Sequence, residues 1–213
     1  MQRPCWAMCA GLPLASSPVP TLCAIPWLAV LSTPMKRPLR RPLYQLPLHH
    51  AVSSKSKLWL SVQHADTRLA ETLPRATIRR WVQAALMAPA ELTIRFVGQA
   101  EGQKLNLDYR GKNYATNVLT FAYSDDDEGG TVSEIDPDAV TQADIVLCTD
   151  VLLQEASQQK ISVEQHAAHL IVHGVLHAQG YDHDDNEEAA EMEQLEAEIL
   201  AGLGWPDPYA DPT

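Results

Sequence analysis

Apolar positions recur along this chain with two different periods, and the switches between them mark out its elements. Leu58–Val62 alternates apolar and polar residues, as a half-buried strand does. Pro74 stands at a helix start, and Ile78, Trp81, Val82, Ala85 and Leu86 follow at helical spacing. Leu92–Val97 (LTIRFV) predicts a second strand, Asn117–Tyr123 (NVLTFAY) a third and Ala143–Cys148 (ADIVLC) a fourth. Between the second and third strands the pattern predicts a short helix around Gln103–Leu107, then the polar turn Tyr109-Arg110-Gly111-Lys112. Ser124–Asp138 reads as an acidic, solvated loop, with Asp125-Asp126-Asp127 as a weaker candidate for a cation. Asp150–Gln159 fits a short helix with Thr149 as its cap.

A longer helix is predicted from Val163 to Gln179. Ser162 and Gln165 have the spacing of a capping box at its start, and Gly180 supplies a left-handed stop at its end. The last helix, Asn186–Leu200, opens with Glu187 and Glu188 against its positive end, and its buried stripe would be Ala189, Met192, Leu195 and Ile199. No internal repeat interrupts this order. The pattern predicts one α+β domain over residues 58–210, a small mixed β-sheet packed with helices, with the 163–179 helix as a zincin-like, metal-bearing element.

Residues 1–57 stand apart. The first 34 are apolar but broken by Pro4, Pro13, Pro18, Pro20, Pro26 and Pro34, and residues 35–57 are rich in Pro, Ser and positive charge. They read as a disordered N-terminal extension, or as an artefact of gene calling with Met35 as the true initiator. A signal peptide would want a compact apolar run and a small-residue cleavage site, and this stretch offers neither clearly. No run of about 18 uninterrupted apolar residues predicts a membrane span.

Composition adds less than the pattern does. With 46% hydrophobic and 20% charged residues, the chain of 213 is ordinary for a globular protein. The net charge of -11 hides an asymmetry. Seven basic residues (Arg3, Lys36, Arg37, Arg40, Arg41, Lys55, Lys57) and no acidic one precede Asp66. Of the later basics, only Lys160 falls after Lys112, so an RNA backbone would have to meet the first half of the folded region. The four cysteines, Cys5, Cys9, Cys23 and Cys148, form no CxxC pair and no disulfide framework, which points to a reducing, cytoplasmic setting. Cys148, inside an apolar run, reads as a buried small hydrophobe.

The chemistry concentrates in His173-Gly174-Val175-Leu176-His177-Ala178-Gln179-Gly180-Tyr181-Asp182-His183. His173 and His177 are four apart, so on a helix they project from successive turns toward one point. Gly180 permits the chain to turn back, and His183 can then reach the same ion. Three neutral imidazoles leave a fourth tetrahedral position for water, the pattern of a catalytic zinc site. Imidazole also suits Ni, Cu and Fe, so another divalent transition metal stays open. The same offsets occur in the metzincin pattern H-E-x-x-H-x-x-G-x-x-H, whose Glu is the general base. Here that position is Gly174, which argues against peptide hydrolysis by the usual route. Asp182 is read as orienting an imidazole or capping the helix, and His166 and His169 as packing or supporting residues. His49, His50 and His64 have no supporting pattern.

These residues resemble a known family. The run HGVLHAQGYDH, together with Leu105–Phe121 (LNLDYRGKNYATNVLTF), is similar to the YbeY family of bacterial endoribonucleases, the ribosomal-RNA maturation factors. The resemblance extends from about Leu58 to Tyr209 and includes the acidic helix EEAAEMEQLEAEIL and the closing Gly204-Trp205-Pro206-Asp207-Pro208-Tyr209. It implies a metal-dependent, single-strand-specific endoribonuclease in 16S rRNA 3′-end maturation and ribosome quality control, with the ribosome or small-subunit proteins as partners. It implies His173, His177 and His183 as metal ligands and Arg110 as the functionally important arginine. A guanidinium there would meet two non-bridging phosphate oxygens in parallel, with Lys112 as a weaker helper. Two departures are visible: Ala115 stands where the family often has Pro, and Ala143 where Gly usually precedes the strand Asp. Both residues are small, so an altered local backbone and an intact site are expected. Two rival readings remain, a metallopeptidase on the same zinc scaffold and a non-catalytic ribosome assembly factor with a structural metal. The oligomeric state is not legible in the sequence.

Overall fold

A computed structural model describes residues 57–123, 140–181 and 186–210, the side chains of Asn186 and Glu187 excepted. The expectations for residues 1–56, for the acidic loop with Asp125–Asp127, and for Asp182 and His183 therefore lie outside the described residues. All described residues belong to one compact unit.

The chain runs β1 (Leu58–His64), a 3-10 turn (Thr67–Leu69), α1 (Arg75–Ala85), β2 (Ala90–Val97), α2 (Gln99–Arg110), β3 (Val118–Tyr123), β4 (Thr141–Cys148), α3 (Thr149–Gln159), α4 (Val163–Ala178) and α5 (Asn186–Gly202). The strands form one sheet in the order β1-β2-β4-β3. β1 pairs parallel to β2 and β2 parallel to β4, with Leu60 opposite Leu92 and Ile94 opposite Ile145. β3 closes the far edge antiparallel to β4, with Phe121 opposite Asp144. The parallel β1–β2 pair needs a crossover, and α1 provides it.

Strand alternation divides the sheet between two apolar clusters. Leu58, Leu60, Leu92, Ile94, Phe96, Ala143, Ile145 and Leu147 point into the main core. There they meet Ile78, Trp81 and Val82 of α1, Leu152 of α3, the apolar residues of α4, and Met192, Ile199 and Leu200 of α5. On the opposite face Val97, Leu119, Phe121 and Val146 form a smaller cluster with Leu105 of α2 and, at its rim, Tyr109. Helix α4 is buried along most of its length, including Leu170, Ile171, Val172, Val175 and Leu176. It is the element around which α1, α5 and the sheet are arranged.

The α+β class, the mixed sheet and all four strands are as the hydrophobic pattern predicts. Three details differ. α2 begins at Gln99 and is far longer than the short helix expected around Gln103–Leu107, so Tyr109 and Arg110 are helical and not part of a turn. Only one narrow stripe of α2 is covered, so its periodicity in the sequence is weak. α3 begins at Thr149 itself, with Cys148 in the cap position and no side-chain cap. Buried Thr149 is therefore a helical residue. On α5 the buried stripe is Met192, Glu196, Ile199 and Leu200, with Ala189 and Leu195 only partly covered. A carboxylate thus occupies a place in a stripe that was expected to be apolar.

Candidate metal centre

Helix α4 is built to hold two imidazoles steadily. Ser162 Oγ accepts from the Gln165 amide at 3.1 Å and caps its first turn. At the other end Gly180 takes φ +91°, which sends the chain away from the helix axis. Gln179 fastens this end to α1, accepting from the Met87 amide at 2.7 Å and donating to the Ala85 carbonyl at 2.9 Å.

His173 and His177 project from successive turns, and their Nε2 atoms stand 3.0 Å apart. Their ring centroids are 4.4 Å apart and the planes are nearly perpendicular, at 85°. Each ring is held from its far side. His177 Nδ1 lies 2.9 Å from the Tyr181 carbonyl oxygen, which can only accept, so this nitrogen carries the hydrogen. His173 Nδ1 lies 2.7 Å from Glu196 Oε1. Burial pushes the Glu196 carboxyl upward, but the hydrogen bonds from His169 and His173 outweigh it and hold the group at about 2. Glu196 is therefore an ionised acceptor, and His173 Nδ1 likewise donates. In the neutral tautomers with hydrogen on Nδ1, both Nε2 atoms present lone pairs to the same point.

That arrangement fits a transition-metal ion. Neutral imidazoles bind through a lone pair while the other nitrogen donates to a carboxylate or carbonyl, and both conditions are met here. Two Zn–N bonds of about 2.0–2.1 Å reach a common ion from nitrogens so placed. Among the described residues the cluster holds two imidazoles; His183, the expected third ligand, lies outside them.

The supporting residues were only partly legible beforehand. His169, a packing or supporting residue by its sequence position, touches the network: its Nε2 is 3.1 Å from Glu196 Oε2 and 3.2 Å from the Tyr209 hydroxyl. Tyr209 also donates to Glu196 Oε2 and meets the His169 ring edge-on. Glu196, Tyr209 and the Tyr181 carbonyl were not anticipated, since a glutamate in an acidic helix reads as solvent-facing. His166 is a packing residue, buried and 2.8 Å from Glu155 Oε2. Asn117 shapes the entry to β3: its Oδ1 accepts from the Val118 amide at 2.7 Å and its Nδ2 donates to Glu155 Oε2 at 3.2 Å.

Arg110 closes α2 on the solvent side, ahead of left-handed Gly111 at φ +66°. No described hydrogen bond joins it to His173 or His177. Lys112 is exposed just beyond it. Ala143 is buried in β4, and the position of Ala115 packs toward Gly102 of α2, so both departures from the family pattern sit in close-packed backbone.

A mixed sheet backed by a long helix that presents two converging imidazoles defines an α+β protein with a helix-borne histidine centre. Residues 60–204 match the family model described as endoribonuclease YbeY. The chain is 62% identical over 157 residues to the endoribonuclease YbeY of Herminiimonas arsenicoxydans, an alignment covering 74% of this chain and 98% of the relative. It is 61% identical over 155 residues to that of Janthinobacterium sp. (strain Marseille), covering 73% and 96%. It is also similar to a solution structure of a Thermotoga maritima protein, with 20% identity, a TM-score of 0.41, and 71% and 99% coverage. The chain belongs to the YbeY family of endoribonucleases. Among the described residues no helix is long and apolar enough to cross a membrane.

Proposed function

We propose that this chain is a zinc-dependent, single-strand-specific endoribonuclease that acts in 16S rRNA 3′-end maturation and ribosome quality control, on or near the small ribosomal subunit in the cytoplasm. The observation that carries the reading is the convergence of His173 Nε2 and His177 Nε2 at 3.0 Å, each ring anchored through Nδ1. His183 is the third ligand in this reading, three residues beyond the Gly180 turn.

Zinc held by these three residues supplies Lewis-acid chemistry toward a phosphodiester. The protein's own groups do the rest. His173 and His177 offer their lone pairs without rearrangement, because Glu196 and the Tyr181 carbonyl already fix both rings. Arg110, free of the sheet and at the end of a rigid helix, is the phosphate clamp, its guanidinium meeting two non-bridging oxygens as their charge grows. The position after the first histidine is Gly174, so a peptidase's general base has no side chain to stand on.

The test uses the purified full-length chain loaded with zinc and a labelled single-stranded RNA. Cleavage is expected, with removal of zinc by a chelator, His177→Ala and Arg110→Glu each abolishing it, and a duplex of the same sequence left intact. Undiminished cleavage in both variants would overturn the assignment. In cells lacking the chain, 16S precursors with extended 3′ ends should accumulate and be cleared by the wild type but not by His177→Ala.

A further inference from the structure

Glu196 is an unusual carboxylate. It sits on α5 with 0% of its surface exposed, in a stripe whose other members are Met192, Ile199 and Leu200. Burying an ionised carboxylate costs several kcal/mol even after relaxation, and an apolar residue of similar size would hold α5 against α4 at least as well. No lysine or arginine pairs with it among the described residues. What surrounds it instead are three directed contacts. Oε1 takes the His173 Nδ1 hydrogen at 2.7 Å, and Oε2 is shared by His169 Nε2 at 3.1 Å and the Tyr209 hydroxyl. Both oxygens are thereby fixed, one toward the candidate metal ligand and the other toward His169 and Tyr209.

We propose that Glu196 is a positioning residue for the metal centre, holding His173 in its Nδ1–H tautomer with Nε2 turned toward the ion, and that His169 and Tyr209 lock the carboxylate for that task. This rests on the metal reading given above. A carboxylate behind a ligating imidazole orients the ring and makes its other nitrogen a better donor. Tyr209 follows α5 in the closing segment of the fold, so residues 205–209 become part of the site's support.

The experiment compares zinc affinity of full-length wild type, Glu196→Gln, Tyr209→Phe and His177→Ala by competition with a chromophoric chelator, alongside nitrogen NMR shifts of the histidine rings in the metal-free protein. Glu196→Gln keeps the size of the side chain and removes its charge. It should weaken zinc binding about 10–100-fold, the range usual for loss of such a partner. Tyr209→Phe, which leaves the carboxylate in place, should weaken it by a smaller factor and keeps the test open if Glu196→Gln does not fold. In the wild type both His173 and His177 should show the Nδ1–H tautomer; Glu196→Gln should shift His173 away from it and leave His177, held by the Tyr181 carbonyl, in it. Zinc affinity equal to wild type in each folded variant would overturn this proposal while leaving the metal centre standing. A wild type that binds no more zinc than His177→Ala would overturn both.

Discussion

Gly174 lies so close to β4 that a Cβ placed on it would stand 2.8 Å from Ile145 Cγ2, and 3.2 Å from Thr120 Oγ1 on the neighbouring strand. The residue after the first histidine therefore faces the sheet, and the 173/177 edge of α4 is turned toward α5. The absence of a side chain at 174 is a packing requirement, and it sets the rotation of the helix about its own axis. Ile145 is β-branched and fully buried, so it has little freedom to give way. Gly174→Ala should destabilise the protein by about 1–3 kcal/mol in denaturant unfolding. Gly174→Glu should prevent folding and yield no peptidase. A Gly174→Glu protein of normal stability would mean that α4 sits differently on the sheet.

The turn after α4 offers a second test. Gly180 at φ +91° places Tyr181, whose carbonyl oxygen receives the His177 Nδ1 hydrogen. Gly180→Ala has space for its methyl group but must adopt a backbone conformation that L-residues disfavour. The expected cost is about 1 kcal/mol of stability. Because the same turn places the Tyr181 carbonyl that holds His177, zinc affinity should fall as well, read in the same chelator competition.

On the far side of the molecule, Tyr123 donates to Asp144 Oδ2 at 2.6 Å across the β3–β4 pair. Burial, then this hydrogen bond and the carboxylate's charge, push its phenol well above the ordinary tyrosine value. The folded state thus keeps a proton that the unfolded chain loses near pH 10. The stability this interaction contributes is complete below pH 10 and should decline as the pH rises beyond it. Tyr123→Phe should be less steep over that alkaline range in unfolding measured against pH. Equal slopes would show that the phenol is not held as described.

Cys148 ends β4 in the core, 1% exposed, and burial raises its thiol above the usual value. A protonated, covered thiol is a poor nucleophile. In the native protein at neutral pH, peptide mapping after treatment with a maleimide should find Cys148 unlabelled, and labelled once the protein is unfolded. Rapid native labelling would contradict the packing at the end of β4.

Much of this was written locally in the chain. Strand positions follow from period-two alternation, α1 and α4 from their apolar spacing, and both ends of α4 from Ser162 and Gly180. The histidine pair follows from its spacing of four on that helix, because the 3.6-residue turn alone brings such side chains together. The family, too, was legible from two separated motifs, since residue identity at spaced positions survives without coordinates.

Other features depended on partners distant in the sequence, which no local pattern encodes. β4 lies between β2 and β3, an order decided by which faces the helices must cover and not by any single strand. α2 extends to Arg110 because its narrow apolar stripe is completed by Leu119, Phe121 and Val146 of the sheet. Glu196 is indistinguishable in sequence from its exposed acidic neighbours on α5. Only when α4 and α5 pack does it gain the His173, His169 and Tyr209 hydrogens that offset the cost of burying its charge. The sequence by itself determined which imidazoles could meet; the tertiary structure decided what holds them, because the partners of a buried charge are chosen by folding.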